Sequence, residues 1–218
     1  MNDVKRPRRP YRSETRESSA RETRERIRWA AAELFAEKGY AATSLADVAV
    51  VSGVARPTVF AAFGSKAELL RHVLDVTMAG DDDAVPVAER PWFQPVWDAG
   101  TQVEVLGAYA EVCTRIAERA GPVFELVHRA ADEGADTAAL WDAVQANRRA
   151  GAAMVVAHLR TRGPLQHSTA RSVDLLWVHN DPALHASLVG SRGWSRTAFV
   201  RWLGTAMCSS LLVPSGRR

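Results

Sequence analysis

Cysteine is nearly absent. Only Cys113 and Cys208 occur, with no paired spacing, so a disulfide scaffold and a cysteine-built zinc site are excluded and two free thiols are expected. No apolar run approaches the roughly 20 residues that a membrane span needs. The basic amino terminus is followed by no hydrophobic signal region, so a cytoplasmic chain without a membrane partner is the expectation. The six histidines have no metal-ligand spacing, and neither a phosphate-cradling glycine loop nor an HExxH pattern is present. His179 near Asp174 and His185 near Asp181 lack a nucleophile or metal partner at a supporting spacing. Neither catalysis, a metal nor a cofactor is expected. Strand-type alternation is also missing, so the fold class reads as all-α.

Lysine is scarce too, at Lys5, Lys38 and Lys66, while alanine and arginine abound. Such a coding bias lowers the weight of any single arginine as a phosphate ligand. Charge is uneven along the chain. Residues 1–12 hold Lys5, Arg6, Arg8, Arg9 and Arg12 against Asp3, a net +4; the whole chain is +3, so the remainder sums to −1. The basic character belongs to an arm. Residues 1–19 are rich in proline, arginine and serine and are expected to be disordered. Two readings stand for this arm: a phosphate-neutralising or minor-groove tail, or a solvated tail without a role.

The stretch from Thr43 to Lys66 carries the strongest pattern. Ser44 with Asp47 forms a capping box, and Leu45, Val48 and Ala49 share a helical face. Ser52-Gly53 then breaks the helix, with glycine accepting a positive φ. Arg56-Pro57-Thr58 opens the next helix with proline near its first position. Val59 and Phe63 point inward, leaving Arg56, Thr58 and Ala61 outward. This is the layout of a helix-turn-helix, whose second helix enters the DNA major groove. Arg56 can pair with guanine and Thr58 can touch a thymine methyl. Ser65 with Glu68 makes a second box, and Ser65 and Lys66 at that helix start suit a phosphate; capping and phosphate binding are compatible.

Gly53-Val54-Ala55-Arg56-Pro57-Thr58-Val59-Phe60, then Phe63-Gly64-Ser65-Lys66 and Leu69-Leu70, resemble the signature of tetracycline-repressor-type (TetR family) regulators. Leu34 to Tyr40, followed by Thr43 and Ser44, resembles the end of the preceding helix in that family. The resemblance covers roughly residues 21–81. It implies DNA contacts from Arg24, Arg28, Thr43, Ser44, Arg56, Pro57, Thr58, Phe60, Ala61, Ser65 and Lys66. For Arg24 and Arg28, surface pairs with Glu22 and Glu25 are the alternative. One departure stands out: similar proteins often carry tyrosine at the positions of Phe60 and Ala62, and neither residue here can offer a phenolic hydroxyl to a phosphate.

Residues 82–218 are expected to form a second, larger helical domain, in which every segment after residue 100 reads helical. Helices are expected over Gln102–Arg119, from Pro122, over Thr137–Arg162, Thr169–His179 and Ala183–Val189, and from Ser195 to Leu212. The proline-rich stretch to Pro95 reads as a linker whose Trp92, Phe93 and Trp97 anchor it or lid a cavity. The resemblance implies an effector cavity and a homodimer. Candidate liners are Leu106, Tyr109, Cys113, Phe124, Val127, His128, Trp141, Gln145 and Trp177, suited to an apolar or aromatic small molecule. Candidate interface residues are Val173, Leu176, Phe199, Trp202, Leu203, Ala206 and Ser210 on the last two long helices. The implied function is a dimeric repressor of double-stranded DNA, bound to a palindromic operator and released by its effector. A same-fold activator, a ligand-independent regulator, or a ligand-binding protein without specific DNA binding are the alternatives.

Overall fold

The computed structural model describes residues 11–214, with residues 11–17 described by backbone alone. The chain divides into two compact units between Val73 and Leu74. In the first, α1 (Tyr11–Lys38), α2 (Leu45–Ser52), α3 (Arg56–Phe63) and α4 (Lys66–Ala79) follow in order. The division falls inside α4, eight residues before residue 81, where the resemblance ends. Helix α1 buries Ile27, Ala30, Ala31, Leu34 and Phe35, a stripe at helical spacing. Each large side chain so buried contributes about 1.5–3 kcal/mol. Helix α2 packs on both α1 and α3.

The start of α1 corrects the expectation for residues 1–19. The helix begins at Tyr11; residues 1–10 lie outside the described residues. After Pro10 the sequence holds no further proline or glycine until Gly39, and its arginines, glutamates and alanines favour helix over coil.

The second unit contains α5 (Gln94–Asp98), α6 (Gln102–Ala130), α7 (Ala135–Arg160), α8 (Thr169–His179), α9 (Pro182–His185) and α10 (Arg196–Leu211). Among the described residues there is no strand, only an isolated bridge between Leu165 and Leu212. No single described helix is long and apolar enough to cross a membrane. Helix α10 lies along α6, and α7 along α8. The first two of these helices approach closely at Gly204, where a Cβ would sit in ordinary contact, 3.7 Å from both Gly107 Cα and Ala110 Cβ. One core unites Val105, Leu106 and Ala110 of α6, Val155, Val156 and Leu159 of α7, Leu176 of α8, and Phe199, Leu203 and Met207 of α10.

Pro122 does not open a new helix. It sits inside the 29-residue α6, although a mid-helix proline removes one hydrogen bond and crowds the carbonyl four residues back. The buried stripe continues through Ala117, Ala120, Phe124, Val127 and Ala130 on both sides of it. Packing outweighs the local break.

The linker is anchored through Arg90. This buried guanidinium binds both oxygens of Asp81, at 2.7 and 2.6 Å, and also donates to the carbonyls of Asp83 and Val85. Phe93 is buried and stacks on Trp97 at 5.0 Å, while the Trp97 indole donates to Ala88 O at 2.7 Å.

Candidate nucleic-acid interface and effector cavity

The turn between α2 and α3 is built from backbone requirements. Ser44 Oγ accepts from Asp47 N, and the Asp47 carboxylate accepts from Ser44 N at 2.9 Å, closing the predicted box. The Ser44 hydroxyl, which donates to the same carboxylate at 2.6 Å, and then the Ser44 N–H hold the Asp47 carboxyl below its ordinary value. Gly53 ends α2 with φ 64°, the left-handed conformation that glycine adopts without strain. The chain direction turns by 112° between the two helices, within the range of a helix-turn-helix.

Arg26, which the sequence reading passed over, secures this corner. Its guanidinium donates to Ser52 O at 2.6 Å and to Gly53 O at 3.0 Å. Carbonyls at a helix C-terminus have no intrahelical donor, so a cation there answers both hydrogen bonding and the helix dipole. The signal was present, an arginine one residue before the buried Ile27, but nothing in α1 alone pointed to a turn 26 residues on.

Helix α3 begins at Arg56 with Pro57 in its first turn, and buries Val59 and Phe63. Arg56, Pro57, Thr58, Phe60 and Ala61 are all exposed on it, as are Ser44 and Arg24; Arg28 is half-buried. Phe60 is 62% exposed. A large apolar ring on such a reading surface is costly to leave in water and suits contact with a sugar or a thymine methyl.

Two predicted DNA contacts, Thr43 and Lys66, change character. Thr43 is buried at 1% exposure, and its hydroxyl donates to Gly39 O at 2.8 Å and Leu34 O at 3.2 Å, so it fastens the end of α1 and offers no side chain to a ligand. Lys66 Nζ donates to Tyr40 O at 2.7 Å and lies 3.9 Å from the Tyr40 ring centroid. Its ammonium is held inside the unit. Ser65 caps α4 by accepting from Glu68 N, but Glu68 turns to Arg71 at 2.7 Å, so the second box is half formed.

The second unit encloses a cavity of about 520 Å³, a size suited to a small organic ligand. Its walls come from α4 (Leu74, Met78), the anchored linker (Val87, Phe93), α6 (Val112, Ile116) and α7 (Val144, Met154). Of the predicted liners, Tyr109, Cys113 and Phe124 do face it. Leu106 and Val127 are core residues with 0% exposure. His128 and Trp141 stack on each other at 4.5 Å away from it. Gln145 and Trp177 stand behind its wall, each accepting from Arg148, at 2.6 and 3.1 Å. The helical stripe does not say which buried face meets a void, and that is why those six assignments miss.

Arg148 and Asn180, unforeseen in the sequence, form the polar end of the cavity with Tyr109. Asn180 accepts from Arg148 Nη2 at 3.0 Å and donates to the Tyr109 hydroxyl at 3.1 Å. Burial raises the Tyr109 hydroxyl well above its ordinary value and pushes the Cys113 thiol up to about 12. Both stay protonated near neutrality. Cys113 and Cys208 are free thiols.

The predicted dimer residues also divide. Val173, Leu176, Phe199 and Leu203 are 5%, 0%, 2% and 1% exposed inside the chain's own core, so they are not surface contacts. Trp202, Ala206 and Ser210 remain half-buried on α10. The expected seam is in part the inward face of an amphipathic helix, which packs on the chain's own core.

Comparison with known proteins agrees with this geometry. The family model described as bacterial regulatory proteins, tetR family, matches residues 27–73. HTH-type transcriptional regulator TtgR of Pseudomonas putida is 45% identical over 56 residues, 26% of this chain and 27% of TtgR. The match thus spans about a quarter of that relative. Two solved structures share the fold over more of the chain. The SmeT–triclosan complex covers 88% of this chain and 92% of its own, at 18% identity and TM-score 0.66. TylP, a TetR regulator from Streptomyces fradiae, covers 88% of both chains at 22% identity and TM-score 0.60. Residues 27–73 are thus similar to the tetR family of bacterial regulatory proteins, and the chain shares its helical fold with SmeT and TylP over 88% of its length.

Proposed function

We propose that this protein is a homodimeric transcriptional repressor that binds a palindromic DNA operator and leaves it when a small apolar or aromatic molecule enters the second unit. The observation that carries the reading is α3. It is an eight-residue helix with Val59 and Phe63 buried and Arg56, Thr58, Phe60 and Ala61 exposed, presented after a left-handed glycine turn. A single short helix reads too few base pairs for a unique site, which argues for two copies on a two-fold site. Trp202, Ala206 and Ser210 are the α10 residues offered to a second copy. The cavity supports the effector reading, as does the triclosan bound in SmeT. Helix α4 runs from the DNA-binding unit into residues that line the cavity, so one element can report on both. The expected coupling between ligand and DNA is about 1–3 kcal/mol.

The test is a mobility-shift titration against the DNA flanking the protein's own gene, at about 150 mM salt with excess nonspecific competitor, followed by selection from random DNA. Enrichment of a two-fold symmetric sequence is expected. Absence of any enriched sequence would leave a ligand-binding protein that does not read DNA.

A further inference from the structure

Helix α1 outruns the unit it belongs to. Its packed part spans Ile27 to Phe35. Thr43 ties the carboxyl end of α1 to the start of α2, through Leu34 O and Gly39 O. Arg26 ties it to the other end of α2, through Ser52 O and Gly53 O. Beyond Arg26 the backbone continues as helix to Tyr11, an overhang of about 22 Å at the usual rise per residue. Residues 18–26 of this overhang are exposed, Thr23 alone among them being half-buried. The overhang leaves the unit beside Gly53, three residues before Arg56 and the start of α3.

A polar helix with no buried face gains nothing from a core and is marginal by itself. Within it charge is balanced, since residues 13–26 hold four arginines against four glutamates. The positive excess lies ahead of them, in Lys5, Arg6, Arg8, Arg9 and Arg12 against Asp3. Arg12 falls in the first turn of α1, and the other four precede the described residues. The overhang is thus a neutral strut with a cationic cluster at its far end. Two cations of the reading unit are meanwhile committed inside it, Arg26 to the corner and Lys66 to Tyr40 O. Phe60 and Ala62 bring no hydroxyl to a phosphate.

We propose that Lys5, Arg6, Arg8, Arg9 and Arg12 form a second DNA contact, a phosphate clamp that α1 carries past the start of α3 to the backbone flanking the bases α3 reads. It rests on the DNA-binding reading and adds a site to it. An overhang of about 22 Å is roughly two-thirds of a duplex turn, so the clamp meets phosphates other than those beside Arg56. Such contacts add affinity and salt dependence without base preference.

The experiment compares the full-length protein with the variant K5Q/R6Q/R8Q/R9Q/R12Q on DNA selected from a random pool, between about 50 and 200 mM salt. Each phosphate contact adds about 0.9 to the salt slope, so the slope should fall by at least about 2 and low-salt affinity by at least about tenfold. The selected sequence and the melting temperature should stay the same, because none of the five positions belongs to the packed part of α1. Trimming the flanks of the duplex should weaken the native protein at least about threefold more than the variant. Equal slopes, or equal losses on trimming, overturn the clamp. A changed selected sequence means that the arm reads bases, and overturns it too. If the variant melts differently, removal of residues 1–10, which keeps α1 whole from Tyr11, repeats the comparison with four of the five cations gone. If the native protein selects no sequence, the operator reading falls and the clamp is judged on random-sequence duplex. A lower slope in the variant then upholds it, and an equal slope overturns it.

Discussion

The two units were assembled by different kinds of information. In the first, the determinants of the turn lie a few residues apart: Ser44 with Asp47, Gly53 between α2 and α3, Pro57 in the first turn of α3. In the second, the cavity draws its wall from residues spread between Leu74 and Pro182. Local caps and breaks are written in adjacent letters. A void is the residue of several helices failing to fill a space, and no single helix carries its outline.

The largest effect expected from testing this contrast is at Gly53. A valine there must hold φ 64°, which is strained for any side chain with a Cβ and worst for a branched one. Its Cβ would also press to 3.2 Å on Arg26 Nη2 and disturb the corner that Arg26 secures. Gly53→Val should lose about 2–3 kcal/mol by thermal unfolding, together with any sequence-specific shift. A stable variant would mean the turn tolerates another conformation.

Arg56→Ala probes the reading surface without touching its frame. Arg56 is exposed at the start of α3, so melting should move little. Specific DNA affinity should fall by about 1–3 kcal/mol, with discrimination relaxed at one base pair of each half-site. Unchanged preference in a selection from random DNA would remove Arg56 from the base contacts.

Thr43→Val addresses a residue whose role the structure reversed. Losing the one hydroxyl donor that Gly39 O and Leu34 O share in a buried setting should cost about 1–2 kcal/mol of stability. The salt dependence of DNA binding should stay as it is. A weaker salt slope with unchanged melting would restore Thr43 to the phosphate contacts.

These cases show what the sequence could and could not convey. The Ser44–Asp47 box and the Gly53 turn were legible because each depends on neighbours at fixed spacing, whereas the Ser65–Glu68 box is only half formed because Glu68 is taken by Arg71. The α10 stripe was read correctly as apolar but assigned to the wrong partner: Phe199 and Leu203 serve their own unit. Arg148 was invisible because its role depends on Gln145, Trp177 and Asn180 converging from other turns and another helix. Pro122 misled for the same reason, since the packing that keeps α6 continuous lies outside the local sequence.

The linker gives the second unit its own local determinant, with a defined pH response. The Arg90 bonds hold the Asp81 carboxyl below its ordinary value. A depressed carboxylate contributes stability that is present above its unfolded value and is lost as pH falls through the folded one. The loop over residues 83–93 should therefore keep its hydrogen-exchange protection at neutral and mildly acidic pH and lose it only below the usual carboxylate range. Asp81→Asn should loosen it at neutral pH. Protection indifferent to both changes would show that Phe93 and Trp97 hold the loop without the ion pair.

Lys66→Ala should have the smallest effect and separates two uses of one ammonium. As a phosphate ligand it would weaken all DNA alike and lower the salt slope by about one, leaving stability unchanged. As a tether it would cost about 0.5–1 kcal/mol on melting, from the hydrogen bond to Tyr40 O and the cation–π contact. The 2.7 Å bond favours the tether, so a measurable loss of stability with a slope change well under one is expected. A small residual slope is compatible with that role, since an ammonium carries more than one donor and its charge is felt beyond the bond it makes. A full unit of slope with no change in melting would mean that the ammonium leaves Tyr40 when DNA arrives.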